Sequence, residues 1–415
     1  MKNVVVIGGG IVGLSSALYL QRSGCKVTVL DKSGFQNNCS YGNAGYVCPS
    51  HFIPMATPGI VKQGIRWMFN SKSPFYVQPR LDRSLIEWGW RFIKSATPER
   101  VEEAAIPLRD IALLSQQEYE SWAVSPGLSF SYEHKGLLEI FQTEQKAIHA
   151  QHTLEKAHEL GLDAVMLSSS ELQAMEPQTR INAKGALFFK CDAHLYPNML
   201  MQALISYLRQ SGVELLAGEV LKFETGNRKV SRIITADNNY EADEIVIATG
   251  TWSREIAGLL NTKIPLVGGR GYSVTLENSP YQLNFPAILM EGRVALTPMD
   301  GNKMRFGGTM EVTSTNTRPR LKRVQGILDA VRRFFPDFDI PMPAVENIWY
   351  GFRPCSADGL PYIGRTSKFS NVVIATGHSM LGLSLGAGTG KLVDELVNNK
   401  PASMDMNPFA VERFA

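Results

Sequence analysis

The sequence predicts an α/β fold organised around a strand-turn-helix-strand unit at its N-terminus and joined to a second, strand-rich unit. Three observations carry this. An apolar run from Val4 to Ile7 breaks into Gly8-Gly9-Gly10-Ile11-Val12-Gly13 and then into a helix-patterned stretch. A second apolar run, Val27 to Leu30, ends on Asp31. Two later runs, Ile245 to Gly250 and Val372 to Gly377, both close on Val-Ile-Ala-Thr-Gly. Strand ends that converge in this way are where α/β sheets bind ligands.

The elements follow in order. Gly8, Gly10 and Gly13 stand at G-x-G-x-x-G spacing: the first allows the turn, the second lets backbone approach a pyrophosphate, and the third lets helix and strand pack closely. The helix then runs from Ser15 through Leu20 towards Gly24, its N-terminus facing the phosphates. Asp31, at the end of the second strand, is placed to bond an adenosine ribose. This reads as dinucleotide binding and leaves FAD and NAD unseparated. Phe35 to Pro49 is a loop of small and polar residues held close to a ligand. Residues 84–94 form a short apolar helix in a segment holding Trp67, Trp88 and Trp90. It is read as packed on the core, with an interfacial or quinone-docking surface as the alternative.

Helices are expected at 101–123 and 145–160 with a strand at 136–141 between them, and an amphipathic helix from Pro197 to Gly212. Val220 to Phe223, Val230 to Thr235 and Glu241 to Ala248 read as a meander. In the strand-rich stretch 264–312, Gly268 to Tyr272 and Met304 to Thr309 read as glycine-punctuated turns. A basic helix from Leu321 stops before Pro336, with Arg320, Lys322 and Arg323 as a solvated face. The segment after Gly377 is expected to bring a second helix N-terminus to the ligand, suited to negative charge such as that on a reduced flavin ring.

With 415 residues, 44% hydrophobic, the chain can bury a large core in two or more domains. A net charge of +3 and the absence of a basic tract with aromatics argue against nucleic acid. The five cysteines, Cys25, Cys39, Cys48, Cys191 and Cys355, show no C-x-x-C pair and fit a reducing, cytoplasmic setting. No leader and no apolar stretch of the roughly eighteen residues needed for a span is read, so membrane contact would be peripheral. Gly386 to Lys391 is one residue short of a P-loop, with Leu392 where Ser or Thr must stand. Gly377-His378-Ser379 is not a nucleophile elbow. The histidines, His51, His194 and His378 among them, lack metal-ligand spacing, so no metal is expected.

With these residues in view, the sequence resembles the FAD-dependent D-amino acid oxidase superfamily, and within it the bacterial D-amino acid dehydrogenases of the small-subunit type. The resemblance runs nearly end to end. It rests on Gly8 to Gly13 with Asp31, on Ser40-Tyr-Gly-Asn43-Ala44-Gly45 and the Pro-rich run to Gly59, and on Trp67-Met-Phe. Its most specific parts are Trp349-Tyr-Gly-Phe-Arg353-Pro-Cys-Ser-Ala-Asp358-Gly-Leu-Pro361-Tyr-Ile-Gly364 and Thr376 to Gly382. It implies a Rossmann-like FAD-binding domain with an α+β substrate domain built on an antiparallel sheet, of the D-amino acid oxidase and glutathione reductase-2 type. Residues 1–80, 195–262 and 345–415 would form the first domain, 81–194 and 263–344 the second.

The implied activity is oxidative deamination of a D-amino acid, or of a cyclic relative such as D-proline or a hydroxyproline isomer. Hydride passes to flavin N5 and electrons go on to a quinone or similar acceptor, at the inner face of the cell membrane if the enzyme is membrane-associated. Arg353 is implied to hold the substrate carboxylate, and Tyr272 and His378 complete the candidate catalytic residues. Non-covalent FAD would be contacted by Ile7, Gly8, Gly10, Ile11, Val12, Gly13, Asp31 and Lys32, by Ser40, Asn43, Ala44 and Gly45, and by Val220. Ala248, Thr249, Gly250 and Trp252 would join from the third strand end, and Gly351, Gly377, Met380, Leu381, Gly382, Leu383 and Ser384 from the C-terminal part. Met380 stands where glycine oxidases carry a second basic residue, which implies a more apolar pocket. The alternatives are an oxygen-using secondary-amine oxidase of the sarcosine or glycine oxidase kind and a flavoprotein subunit that only relays electrons.

Overall fold

The structure, a computed structural model, describes every residue of the chain except Asn37, Phe69 and Ala415, and leaves the Met68 side chain undescribed. The N-terminal unit folds as β1 (Asn3–Ile7), α1 (Ile11–Arg22) and β2 (Lys26–Asp31). β1 lies inside a 6-stranded sheet of spatial order Glu214–Ala217, β2, β1, Glu244–Ile247, Val372–Thr376, Tyr362–Arg365. The first five strands are parallel and the sixth is antiparallel. These strands are apolar runs because helices or a second sheet cover both of their faces. The two Ala-Thr-Gly strands are neighbours, Ile245 opposite Val372.

Gly13 explains how closely α1 sits on the sheet. A Cβ there would lie 1.9 Å from the Gly8 carbonyl oxygen, and one on Gly8 would lie 2.4 Å from that of Ala248. On this side α1 also packs against the helix Gly386–Val397, whose Gly390 meets Ser15. Three further helices follow the cofactor loop: α2 (Ile60–Met68), α3 (Arg83–Ser95) and α4 (Pro98–Ala123). α4 falls in the stretch 81–194 expected for the substrate domain, yet its Leu108, Ile111, Tyr119 and Trp122 belong to the core beneath α1.

The opposite face of the sheet carries a 3-stranded antiparallel meander, Val220–Gly226, Lys229–Thr235 and Asn239–Glu241. The expected strand from Glu241 to Ala248 is divided: its first part ends the meander and Glu244–Ile247 enters the parallel sheet. The chain pivots at Asp243, whose carboxylate accepts from Asn3 N at 2.8 Å while its own N–H donates to the Asn3 carbonyl.

The second unit is a 9-stranded, largely antiparallel sheet. The glycine runs expected as turns lie inside its two longest strands, Leu266–Leu276 and Lys303–Val312. Glycine serves there to clear space for neighbouring side chains. Alternation sends Arg270, Tyr272 and Val274 to one face and Gly269, Gly271 and Ser273 to the other, paired with Arg353, Gly351 and Trp349 respectively. The Tyr272 face packs on the helix Leu321–Phe334, so Tyr272 is a core residue. Its hydroxyl donates to Glu311 Oε2 at 2.7 Å and accepts from Arg320 N at 2.9 Å, so the hydroxyl is committed behind the sheet while the residue also borders the cavity between the two sheets. Arg323 is no solvated residue either: 1% exposed, it donates to Glu311 Oε1 and to the Ser73 carbonyl.

Two stability predictions follow from these contacts. Gly13→Ala should cost at least the roughly 1–3 kcal/mol of an overpacked core and weaken cofactor retention with it. Urea unfolding at wild-type stability with full cofactor content would contradict the packing. Glu311→Gln strips the charge that compensates the buried Arg270 and Arg323, and should cost about 3–5 kcal/mol. A loss under about 1 kcal/mol would show that these guanidinium groups find compensation elsewhere.

Candidate active site

A cavity of ≈ 800 Å³ lies between the two sheets. One arm is built from the ends of the parallel strands and is lined by Ile7, Gly8, Gly10, Ile11 and Val12, by Asp31 and Lys32, and by Ala248, Thr249, Gly250 and Trp252. Val220 borders it, and Lys32 lies over the Trp252 ring at 4.0 Å. Asp31 does more than the sequence reading assigned it. Its Oδ2 accepts from Gly9 N at 2.7 Å, and its Oδ1 accepts from Ser33 N and Oγ and from Phe35 N. The carboxylate thus fixes the glycine turn while still bordering the cavity.

The loop after β2 is pinned from both sides. Ser40 Oγ accepts from Ile11 N at 3.0 Å and so satisfies one of the free N–H groups that open α1. Arg305 Nη1 donates to the carbonyls of Tyr41 and Asn43, and Thr297 Oγ1 donates to that of Ala44. Ser40, Asn43 and Ala44 line the cavity.

The other arm runs along the front face of the large sheet. Register places Trp349, Ser273, Gly307, Ala295, Ile288 and Glu139 in one row across six strands. At about 4.8 Å per strand the row spans roughly 24 Å, and its small residues leave a trough. Arg353 stands beside this row. Its guanidinium lies over Gly271, where a Cβ would be 2.2 Å from Nη2. Nη1 donates to the carbonyl of Thr309, a β-branched residue held at φ 68. Burial pulls the Arg353 pKa down, and the groups that act on its charge are the thiols Cys355 and Cys39, with no carboxylate among them.

His378 lines the cavity with one of its ring nitrogens already committed. The Thr389 hydroxyl donates to the Leu385 carbonyl, so His378 Nε2 must donate to Thr389 Oγ1 across 3.0 Å. Burial also lowers its pKa to about 3. Met380, Leu381, Gly382, Leu383 and Ser384 reach the cavity from a 3₁₀ turn and the residues after it. The helix itself begins only at Gly386, so the expected second helix N-terminus is displaced from the cavity wall by that turn.

Four expected contacts are not on the wall. Gly13 packs on Gly8, Gly45 on the Leu195 carbonyl, Gly351 on the Trp349 ring and Gly377 on the Tyr362 ring. Each is glycine because protein, not ligand, fills the place of its Cβ. Wall residues outside the expected contact set include Cys48, His51, Glu139, Lys146, Arg293, Thr309 and Trp349. Glu139 carried a signal, a lone carboxylate within the apolar strand Leu137–Phe141. Burial, reinforced by Asp192, pushes its pKa up to about 7.

The residues present fit FAD. Gly10 opens towards the cavity, with only Ser40 Oγ at 3.8 Å from an added Cβ, and Trp349 offers a buried indole N–H without a partner among the described residues. Comparison with known proteins agrees. The chain matches the FAD dependent oxidoreductase family over residues 3–396. It is 28% identical to a D-amino acid dehydrogenase of Neisseria meningitidis serogroup C over 99% of each chain. It is 30% identical to one of Helicobacter pylori over 95% of this chain and 94% of the relative. Similar solved structures include glycine oxidase from Geobacillus kaustophilus, at 22% identity, TM-score 0.79, and 100% and 99% coverage of this chain and that one. L-proline dehydrogenase from P. horikoshii, at 19% identity, gives TM-score 0.72 with 100% and 97% coverage. Fold, cavity and family match agree: the chain belongs to the FAD dependent oxidoreductase family.

Proposed function

We propose that the chain is a D-amino acid dehydrogenase that oxidatively deaminates its substrate and passes the electrons to a membrane quinone. The observation that carries the first part is Arg353: a desolvated guanidinium on the cavity wall, steered by the Thr309 carbonyl and with no carboxylate partner among the described residues. A guanidinium so placed accepts a substrate carboxylate bidentately. FAD, when bound, supplies the hydride acceptor. The chain's own part is to orient the Cα–H, which Arg353 does by fixing the carboxylate, and to narrow the trough with Trp349 so that water is excluded. The product imino acid is hydrolysed by water to keto acid and ammonia. The domain division read from sequence is revised in this proposal, with α4 assigned to the FAD-binding side and the strands Phe75–Val77 and Ile348–Ser356, which join the 9-stranded sheet, to the substrate side.

The second part is supported by α2 and α3. No described helix is long and apolar enough to cross a membrane. α3 turns Trp88 and Phe92 inward, Trp88 Nε1 donating to the Cys355 carbonyl, and turns Ile86, Trp90 and Ile93 outward, Trp90 being 55% exposed. Val61 and Ile65 extend this face on α2, and Lys62, Arg66, Arg83 and Lys94 edge it with positive charge. Ile60 and Phe92, from the inner sides of the same helices, line the cavity. A face of this kind suits the boundary of an anionic bilayer.

Anaerobic mixing should bleach the flavin with D-amino acids or D-proline and leave it oxidised with the L-isomers of primary amino acids. Faster bleaching by L-alanine than by D-alanine would reverse the stereochemical assignment. Arg353→Met should keep FAD and lose about 2–5 kcal/mol of transition-state binding, a drop in kcat/KM of roughly thirty-fold to several thousand-fold per bound FAD. Arg353→Lys should recover only part of it. Near wild-type kcat/KM in Arg353→Met would end the substrate-binding role. For the acceptor, Ile86→Glu with Trp90→Glu should abolish flotation with anionic vesicles and slow reduction of vesicle-borne quinone while sparing a soluble dye. Unchanged flotation, or oxygen consumption matching the quinone rate, would remove the membrane part.

A further inference from the structure

Behind the cofactor loop, three side chains form a hydrogen-bonded chain that ends at the cavity. Asp192 is fully buried at the turn that follows the strand Gly185–Phe189. Its Oδ2 accepts from Ser50 Oγ at 2.5 Å, and its Oδ1 accepts from Ser50 N at 3.1 Å and from Cys191 Sγ at 3.6 Å. Ser50 Oγ also lies 3.2 Å from His51 Nδ1. A hydroxyl carries one proton and an ionised carboxylate carries none, so Ser50 must donate to Asp192 and accept from His51. That settles the tautomer: Nδ1 of His51 holds the proton and Nε2 is a bare lone pair. His51 lines the cavity, and Nε2 is neither bonded within the described residues nor among the buried polar atoms left without a partner.

The segment carrying His51 runs between the two halves of the site. Ahead of it, Cys48 N donates to Ser384 Oγ in the stretch that closes over the cofactor arm. Beyond it, Met55 and Ala56 pack with Met310 and Cys355, the chain neighbours of Thr309 and the strand mates of Arg353. His51 and Arg353 both line this one cavity.

Resting on the proposed amino acid oxidation, we infer that His51 Nε2 receives the proton that the substrate ammonium must lose before hydride can leave. One N–H bond of the ammonium breaks, its electron pair stays on nitrogen, and the proton bonds to Nε2. The imidazolium so formed keeps its other N–H on Ser50, which donates to Asp192, so the carboxylate, whose pKa burial raises to about 6, offsets the new charge. Water takes the proton when product leaves. Burial lowers the His51 pKa to about 4, so the lone pair is present throughout the working range. The same stripping of water loosens the ammonium's hold on its own proton. Burial is the cause of the His51 shift, and Asp192 reaches the ring through Ser50. Cys48 is its other titratable neighbour, and Asp192 faces Cys191, Glu139 and Tyr132, with Lys146 beyond Glu139.

The test is the pH profile of flavin reduction in stopped flow, with the holoenzyme and a D-amino acid that bleaches it. His51→Phe should be at least about tenfold slower at pH 7 and should gain about tenfold per pH unit as the amine deprotonates unaided, while wild type changes far less. A His51→Phe profile parallel to wild type, at any rate, overturns the inference. Asp192→Asn, whose amide can donate to Ser50 and turn that hydroxyl towards Nδ1, should place the proton on Nε2 and give the steep profile with FAD retained. A wild-type profile in an FAD-replete Asp192→Asn would also overturn it. If no amine bleaches the wild-type flavin, the proposed function fails instead. The tautomer is still decided by ¹⁵N NMR of histidine-labelled protein, where a protonated Nε2 on His51 overturns the relay and a protonated Nδ1 upholds it.

Discussion

A carbonyl oxygen and a missing methyl group set the geometry on which the rest is built. The Gly8 oxygen occupies the place where a Cβ of Gly13 would be, so α1 lies against β1 at a distance open only to glycine. This brings the start of α1 to the strand end, next to Ala248 from the neighbouring strand and Asp31 from the other side. The cofactor arm is the space left when these strand ends and one helix start are forced together. Asp31 then closes the arrangement by accepting the Gly9 N–H, which ties the turn to β2.

The large sheet solves a different problem, how to keep a cation bare. Alternation along its strands gives neighbouring residues opposite surroundings. On the back face Glu311 gathers Arg270, Arg320 and Arg323 about one carboxylate, sealed beneath a helix. On the front face Arg353 has a carbonyl and two thiols. An unpaired guanidinium in a sealed core would cost several kcal/mol. It persists here because its face opens on a cavity, where the carboxylate of the proposed substrate would regain that cost. Gly271 and the left-handed Thr309 are the local concessions that aim it.

How much of this was legible depends on the range of the interaction. The βαβ unit, the paired Ala-Thr-Gly strands and the helix ends are local patterns, and they could be read. Gly268 to Tyr272 and Gly307-Gly308 read as turns because glycine in a strand is rare unless something approaches closely. The approaching groups, such as the Arg353 guanidinium, lie far away in sequence. Arg323 was misplaced for a related reason. Which face a strand or helix residue takes depends on register with partners that no local pattern names. His378 shows the limit of residue type alone: it lines the cavity, but a threonine hydroxyl already committed to a carbonyl decides which of its nitrogens carries the proton. The fold was therefore largely legible, and the site only as far as its backbone.

The loop from Asn38 to His51 joins the two solutions. Its first residues belong to the cofactor arm, Asn38 Nδ2 donating to the Gly9 carbonyl and Ser40 Oγ capping Ile11. Its middle is gripped by Arg305 from the large sheet, and Tyr46 reaches the carbonyls of Ala287 and Leu296 in the same sheet. Its end carries Ser50 and His51 onto Asp192. A rigid segment bonded at one end to the glycine turn and at the other to a buried acid fixes the distance between the cofactor's seat and the proton acceptor. Hydride departure demands that kind of fixity, because the nitrogen lone pair must be free at the moment the Cα–H bond breaks. The buried polar bonds of this loop, individually small, matter for the precision with which they hold two chemical events to one place.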